Sequence, residues 1–582
     1  MIRRMASKKQ QSRAPKPPAR ETAAPRLPLA RFLERRSAAV VVGLIALASI
    51  RIALTYTVFN HTSDEPNHIA CGMEWLQRGT YTFETQHPPL ARVAAALGPF
   101  LIGARVRGQV QHDTMSVPVE GAQILYRDHR YDLTLALARL GILPFFWIAC
   151  LVVYWWARRY YGALVAIVAL FLFSFLPPVL AHGGLATTDM PLTAFVGASF
   201  VAVLRWVEQP TLRRGALAGA CCGLAVLSKF SSLPFLPACL GCALALYLAL
   251  ERPGLRSLLP AARRSLPSLG LAISSGALVV WAGFRFSFGK VWFTRIPLPA
   301  PELFSGIEAA AAHNRLGHHT YFFGQFSASG FWYYYPVVLA IKTPLALLVL
   351  FGPGLFLALR KSNRPAHVWQ PLGLIAGVLA IGLYSRINIG LRHILPIYMG
   401  ICLLAAIAAV RLPRWLPRRW GKAALALLLL WFGGASLLAH PDYLPYFNLL
   451  AGSQPEKIMV DSDLDWGQDL KRLAYRLQEA GADRVAFHTT IVATLKEHGF
   501  PPVIEQDPFA PAAGWNAVSV TYWKLLRLGA IRTSPEGLLV NHSPKRSLWP
   551  DQVPLGERVG KSIYLWNVGV TAASAPDTVV LH

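Results

Sequence analysis

Asp64 and Glu65, in the run Ser63-Asp64-Glu65-Pro66-Asn67-His68, stand directly behind the first long apolar segment of the chain. Two adjacent carboxylates at the edge of a bilayer are costly to place and easy to titrate, so their default reading is chemical. A helix cap would explain the same residues without chemistry, stabilising by about 1 kcal/mol. His68, one helical turn beyond Asp64, and the later run Glu84-Thr85-Gln86-His87-Pro88-Pro89-Leu90 shift the balance, because they gather acid, base and histidine on one loop.

Further along lie other groups of the same kind. Thr187-Thr188-Asp189-Met190-Pro191-Leu192 carries an acid where a helix should start, and its bland alternative is again a cap. Lys229 ends a short apolar run and could simply snorkel to the interface. Lys342, in Lys342-Thr343-Pro344, lies about ten residues inside an apolar run, where a lysine needs a partner or a polar cavity. Asn388-Ile389-Gly390-Leu391-Arg392-His393-Ile394-Leu395-Pro396 brings Arg392 and His393 together at the entry to another run, with an interfacial anchor as the alternative. Asp461, Asp463 and Asp465, spaced by two, invite a calcium reading but lack the Gly at the sixth position and the Glu at the twelfth of an EF-hand loop. No metal is assigned to any residue, and a divalent cation stays open as a cofactor.

The elements that must position these residues follow from composition. The chain of 582 residues is 54% hydrophobic and 15% charged, with mean hydropathy +0.39, which marks an integral membrane protein. Apolar stretches of about 20 residues, enough to span a bilayer as helices, occur at about 38-59, 133-156, 162-181, 191-207, 216-230, 232-250, 266-284, 333-358, 371-386, 394-411 and 422-439. The net charge of +27 argues against nucleic acid as a partner, because Lys and Arg fall on every second loop. That alternation is the positive-inside pattern. It puts the N-terminus inside, the Asp64-Glu65 loop outside and the last part of the chain outside, which requires an odd number of spans such as eleven.

Residues 1-36 carry eleven basic residues among Pro and Ala and read as a disordered cytoplasmic tail against anionic lipid head groups. The run from Ser37 reads as a signal anchor. Residues 37-439 form the transmembrane domain, with large external loops at 60-132 and 285-332. A surface helix should run from Asp64-Glu65-Pro66 to about Arg78, with Ile69, Met73 and Leu76 on one side, and a second from Leu90 to about Ile102. Residues 440-582 change character and read as an extracytoplasmic α/β domain, with strands at Lys457 to Val460, Arg484 to His488 and Ala517 to Tyr522 and helices at Gly467 to Ala480 and Ile491 to His498. Six of the seven cysteines lie in predicted spans, so no disulfide framework is implied.

Asp-Glu-x-x-His behind the first span, followed by His87-Pro88-Pro89-Leu90-Ala91, resembles the first external loop of protein O-mannosyltransferases and their bacterial relatives. These are polyprenyl-phosphate-sugar-dependent glycosyltransferases of the GT-C fold, a group that includes the aminoarabinose transferase of lipid A. The Asp189 motif, Trp332 to Pro344 and the Arg392-His393 motif also look familial, as do His440 to Asn448 and Asp461 to Leu470 for a bacterial subgroup. The resemblance implies a GT-C-like polytopic α-helical membrane protein of about eleven transmembrane helices in a bacterial inner membrane. It implies a hexosyl- or pentosyltransferase that moves a sugar from a polyprenyl-phosphate donor to a hydroxyl on a lipid, glycan or protein acceptor, on the outer face.

Transfer by single displacement would invert the anomeric centre, and the acceptor hydroxyl needs a carboxylate to take its proton. Asp64 matches the first acid of the family's pair and is the candidate base, with Glu65 orienting it or the acceptor, or the reverse. Arg392, able to grip phosphate in a bidentate manner, and Lys229 are the candidate cations for the leaving phosphate. His393 and His87 are possible hydrogen-bond donors, Asp189 is a further substrate-binding residue, and His68 could tune Asp64. The chain lacks the long external insertion of the eukaryotic enzymes, so no protein acceptor follows from them. Two other classes stay in view: a flippase for a lipid-linked sugar, which should show inverted repeats and interrupted midplane helices, and a non-catalytic membrane scaffold.

Overall fold

The structure is a computed structural model and describes residues 36–108, 116–252, 255–362, 364–415, 417–527 and 548–569. The expected basic tail, save Arg36, lies outside the described residues. Each of the eleven apolar runs falls on helix, and the helical part is that of a polytopic membrane protein. Five helices among the described residues are long and apolar enough to cross a membrane: Tyr131–Tyr161, Asp189–Glu208, Ser232–Glu251, Arg263–Gly283 and Arg419–Leu438.

Two further runs expected as straight spans are bent. Ala163–Ser174 and Pro177–Gly183 meet at 67°, and Tyr334–Lys342 and Leu345–Leu359 at 119°. Proline explains both, since Pro177 and Pro344 have no N–H to donate and disfavour helical geometry in the residue before them. Counting each bent pair once gives seven. The other expected spans coincide with shorter helices, Ser37–Ala53, Leu212–Ser228, Trp369–Tyr384 and Ile397–Trp415. The shortest of these, 16 residues, reaches only about 24 Å at 1.5 Å per residue.

The two expected surface helices form as Glu65–Arg78 and Pro89–Leu101. Ile69 and Met73 are fully buried. The helices touch backbone to backbone at Gly72, where a Cβ would lie 1.9 Å from the Arg92 carbonyl oxygen. Nothing larger than glycine fits there, and that close approach sets the angle at which the Asp64 end of the first helix meets the second. Helix Ser116–Tyr126 also packs on the first helix, with Gly121 against the Pro66 carbonyl, so two helices hold the segment behind Asp64.

After the last long helix the chain passes through three 3-10 turns and helix Leu470–Glu479 and enters a five-stranded sheet. Two small hairpins, β1 (Phe288–Val291) with β2 (Thr294–Pro299) and β3 (Thr320–Phe322) with β4 (Gln325–Ser327), precede it in sequence. The sheet runs β6 (Val503–Ile504), β5 (Val485–Phe487), β7 (Gly514–Ser519), β9 (Ile563–Val568), β8 (Glu557–Val559), parallel at β5 and antiparallel around β9. Alternate residues of β9 serve two cores: Tyr564 and Trp566 pack with Trp523 and Trp549, whereas Ile563 and Leu565 pack with Leu470, Leu473 and Leu477 of helix Leu470–Glu479.

Three expected elements of this region differ. Lys457 to Val460 is no strand but the end of a 3-10 turn with one bridge, Met459 to Phe322, because Pro455 starts a turn there. The strand expected to Tyr522 stops at Ser519, and a helix begins at Val520. The helix expected over Ile491 to His498 is a single 3-10 turn, Leu495–His498, closed by Gly499 in the left-handed region.

Candidate active site

Asp64 precedes helix Glu65–Arg78, but its side chain makes no capping hydrogen bond. It turns instead toward Arg392, whose Nη1 donates to Asp64 Oδ2 at 2.7 Å. The same Nη1 lies 3.9 Å from Asp189 Oδ2, and Lys229 Nζ donates to Asp189 Oδ1 at 2.7 Å. Asp64, Arg392, Asp189 and Lys229 thus form a row of alternating sign, brought together from four places in the sequence. Asp189 is fully buried, Arg392 and Lys229 nearly so, and Asp64 at the end of the row is 32% exposed. The capping alternative for Asp189 fails as it does for Asp64, since both acids bind cations.

Burial alone would raise the Asp64 carboxyl, yet the Arg392 guanidinium outweighs it and holds the group below the usual carboxylate range. Burial would likewise weaken Arg392 as a base, and Asp64 and Asp189 together reverse that and raise it. Asp64 is therefore ionised at neutral pH, and the strong partner it has is a cation that an incoming anion could also bind.

Glu65, the next residue, has different surroundings. It is fully buried and accepts from Arg139 Nε at 2.8 Å and Nη2 at 2.9 Å, from Thr62 N at 2.7 Å and from Ala186 N at 2.9 Å. Burial raises its carboxyl, and Arg139 with these N–H donors more than offsets that. Its oxygens are saturated by donors from the loop before it, from the helix beginning at Tyr131 and from the segment before Asp189. Glu65 thus ties Asp64 and Asp189 to one another.

The histidines sort by environment. His68 Nδ1 accepts from Arg92 Nε at 3.1 Å, and burial, then Arg92, push the ring down to about 3, so it is neutral. His87 packs edge-on to it at 5.4 Å; burial, then Arg92, hold it well below its ordinary value, and its buried Nδ1 has no hydrogen-bond partner among the described residues. His393 is neutral through burial and Lys229. Arg92 organises this loop: fully buried, it donates to Tyr81 Oη at 3.0 Å, to the Glu84 carbonyl at 2.6 Å and to the Glu84 carboxylate.

Arg392 sits in a 3-10 turn behind Gly390, whose φ of +134° and closeness to Ser462 (a Cβ would lie 2.6 Å from its Oγ) leave room for no side chain. Leu391 N donates to Asp463 Oδ2 at 2.9 Å. Lys342, at the break between its two helices, donates to the carbonyls of Leu444 and Asp463 at 2.7 Å each, which supplies the partners its depth demands. The three acids of the 461–465 run go separate ways: Asp461 to His318 at 3.7 Å, Asp463 to Leu391 and Lys342, Asp465 to Ser519 and Thr521. Among the described residues no group of three or more His, Cys, Asp or Glu is arranged to hold a metal ion.

The residue pattern alone does not single out Arg92, Arg139 and Trp466. Arg139 had a visible signal, a charge inside an apolar run. Arg92, two residues beyond Leu90, has none beyond proximity to a motif, and Trp466 lies inside the Asp461 to Leu470 segment with nothing to set it apart from its neighbours there.

Residues 137–283 match the family model for dolichyl-phosphate-mannose-protein mannosyltransferase, which bears out the resemblance carried by the motifs. That interval contains Arg139, Asp189 and Lys229, whereas the Asp64, His87 and Arg392 motifs lie outside it. No curated protein matches the chain. Solved structures to which it is similar include ArnT from Cupriavidus metallidurans in the apo state, at 18% identity over 76% of this chain and 71% of that one, with a TM-score of 0.47. The same protein bound to undecaprenyl phosphate gives 15% identity over 90% and 97%, with a TM-score of 0.49. An Archaeoglobus fulgidus oligosaccharyltransferase in the apo form gives 14% identity over 87% and 75%, with a TM-score of 0.40.

Proposed function

We propose that the chain is a membrane glycosyltransferase that moves a sugar from a polyprenyl-phosphate donor to an acceptor hydroxyl on the extracytoplasmic face, with inversion and with Asp64 as general base. The observation that carries this reading is the row Asp64–Arg392–Asp189–Lys229, which holds a partly exposed carboxylate beside two nearly buried cations. The family match supports a polyprenyl-phosphate sugar as donor, and the alternation of basic loops supports an outward-facing Asp64. On this reading the helices of residues 37–439 form the catalytic domain with eleven crossings, and residues 440–582 lie outside the membrane.

The donor phosphate binds Arg392, whose Nε is buried and has no hydrogen-bond partner among the described residues, and Lys229 adds a second positive charge. An acceptor hydroxyl donates to Asp64. Its oxygen attacks the anomeric carbon as the bond to the phosphate oxygen breaks, its proton passes to Asp64, and the polyprenyl phosphate departs with one more negative charge than it carried as a diester. Cations in a site sheltered from water stabilise that added charge strongly. His68, His87 and His393, all neutral, can contribute hydrogen bonds without adding charge. Asp189 holds the two cations apart, and Glu65 acts as a positioning residue for Asp64.

The test incubates the purified protein in liposomes with radiolabelled polyprenyl-phosphate sugars and a panel of hydroxyl acceptors. The reading expects label to move to an acceptor with wild type and not with Asp64→Asn. Movement of lipid across the bilayer without transfer would support a flippase instead.

A further inference from the structure

The row of charges is assembled by helices, but one of its contacts comes from beyond them. The Trp466 ring lies under the Arg392 guanidinium, with Cζ 4.1 Å from the ring centroid, and Trp466 is nearly buried at 5% exposure. Its carbonyl accepts from Ser63 N at 3.1 Å, one residue before Asp64. On either side the same loop repeats the grip. Asn60 Nδ2 donates to the Gly467 carbonyl at 2.7 Å, Leu470 N returns a bond to Asn60 Oδ1 at 2.8 Å, and Asp463 holds Leu391 N. The loop is anchored to the sheet in turn, since Asp465 accepts from Ser519 Oγ and from Thr521 N.

We propose that Trp466 is a positioning residue of the site: its ring holds the Arg392 guanidinium in register with the Asp64 segment, so that the 461–469 loop works as part of the phosphate-binding site. The inference rests on the reading of Arg392 as the phosphate ligand. A guanidinium has several rotatable bonds, and its grip on phosphate depends on the plane in which it is presented. Asp64 fixes one nitrogen only; the aromatic face fixes the plane. The Ser63 contact links that plane to the carboxylate, so the base and the phosphate ligand share one support.

The experiment measures undecaprenyl phosphate binding to the full-length protein in nanodiscs by native mass spectrometry, as a four-variant cycle of wild type, Trp466→Leu, Arg392→Gln and the double variant. Trp466→Leu should weaken binding by about tenfold, the scale of a desolvated cation–π contact, and should add nothing once Arg392 is Gln. Fluorinated tryptophans incorporated at position 466, which keep the shape of the ring and thin its π density, should weaken binding in step with fluorine content. This series also covers the case in which Trp466→Leu fails to fold. Equal weakening by Trp466→Leu in both Arg392 backgrounds, or no trend with fluorination, would overturn the role of Trp466 and leave the phosphate reading standing. Absence of saturable binding by the folded wild type would remove the phosphate reading and the inference with it.

Discussion

Asp64 and Glu65 share a peptide bond, each has an arginine, and the two sides of that bond behave differently. On the inner side, Glu65, Arg139, Thr62 and Ala186 form a closed set with no exposed oxygen and every strong acceptor direction filled. On the outer side, Asp64 is one-third exposed and is held by one guanidinium contact in a row that ends at Lys229. A buried ion pair with this many donors fixes the backbone, and a partly exposed carboxylate beside a cation can exchange partners. Adjacency in sequence therefore conceals a division of labour: one acid holds the loop and, on the proposed reading, the other faces the reactants.

Breaking the inner side should have the largest effect. Glu65→Gln leaves Arg139 buried without its counter-charge and should cost about 3–5 kcal/mol of stability, read as a lowered melting temperature of the detergent-solubilised protein. On the outer side, Arg392→Gln should cost less stability but weaken undecaprenyl phosphate binding by about a hundredfold, the scale of a lost charge-assisted bidentate contact. Gly390→Ala should act on the outer side alone. It forces a side chain into a positive-φ position against Ser462 and should cost about 1–3 kcal/mol, with weakened phosphate binding and an intact Glu65–Arg139 pair.

The smallest effect is one of pH, and it separates the helical site from the loop beyond it. The folded Glu65 carboxyl is depressed, so its contribution is present above the ordinary glutamate range and is lost as pH falls through the folded value. Asp465 runs the other way. Burial raises it to about 6, so the stability it contributes is present below the ordinary aspartate range and is lost as pH rises through about 6. Asp465→Asn should therefore flatten a decline of melting temperature between about pH 4 and pH 6, whereas Glu65→Gln should flatten the loss at lower pH.

Much of this arrangement is legible in the sequence, and what is missed follows a pattern. Apolar runs locate the helices because burial in lipid demands them, and Asp64, Asp189, Lys229 and Arg392 stand out because charge beside such runs is costly. The breaks at Pro177 and Pro344 are local and readable, yet their angles depend on what packs against them. The lock between Glu65 and Arg139 joins residues 74 positions apart, and the support from Trp466 comes from a loop more than 70 residues beyond Arg392 in the chain. Neither is visible to periodicity or short motifs, because both depend on the tertiary fold. The strand expected at Lys457 to Val460 failed for a related reason, since Pro455 and the approach of β3 overrode β propensity there.

The most direct measurement compares Asp64→Asn with wild type in the liposome transfer assay, with melting temperature and undecaprenyl phosphate binding measured on the same preparations. The division of labour predicts that Asp64→Asn folds and binds undecaprenyl phosphate while transfer falls by about a thousandfold, within the range for loss of a general base. Transfer by Asp64→Asn at the wild-type rate would contradict it.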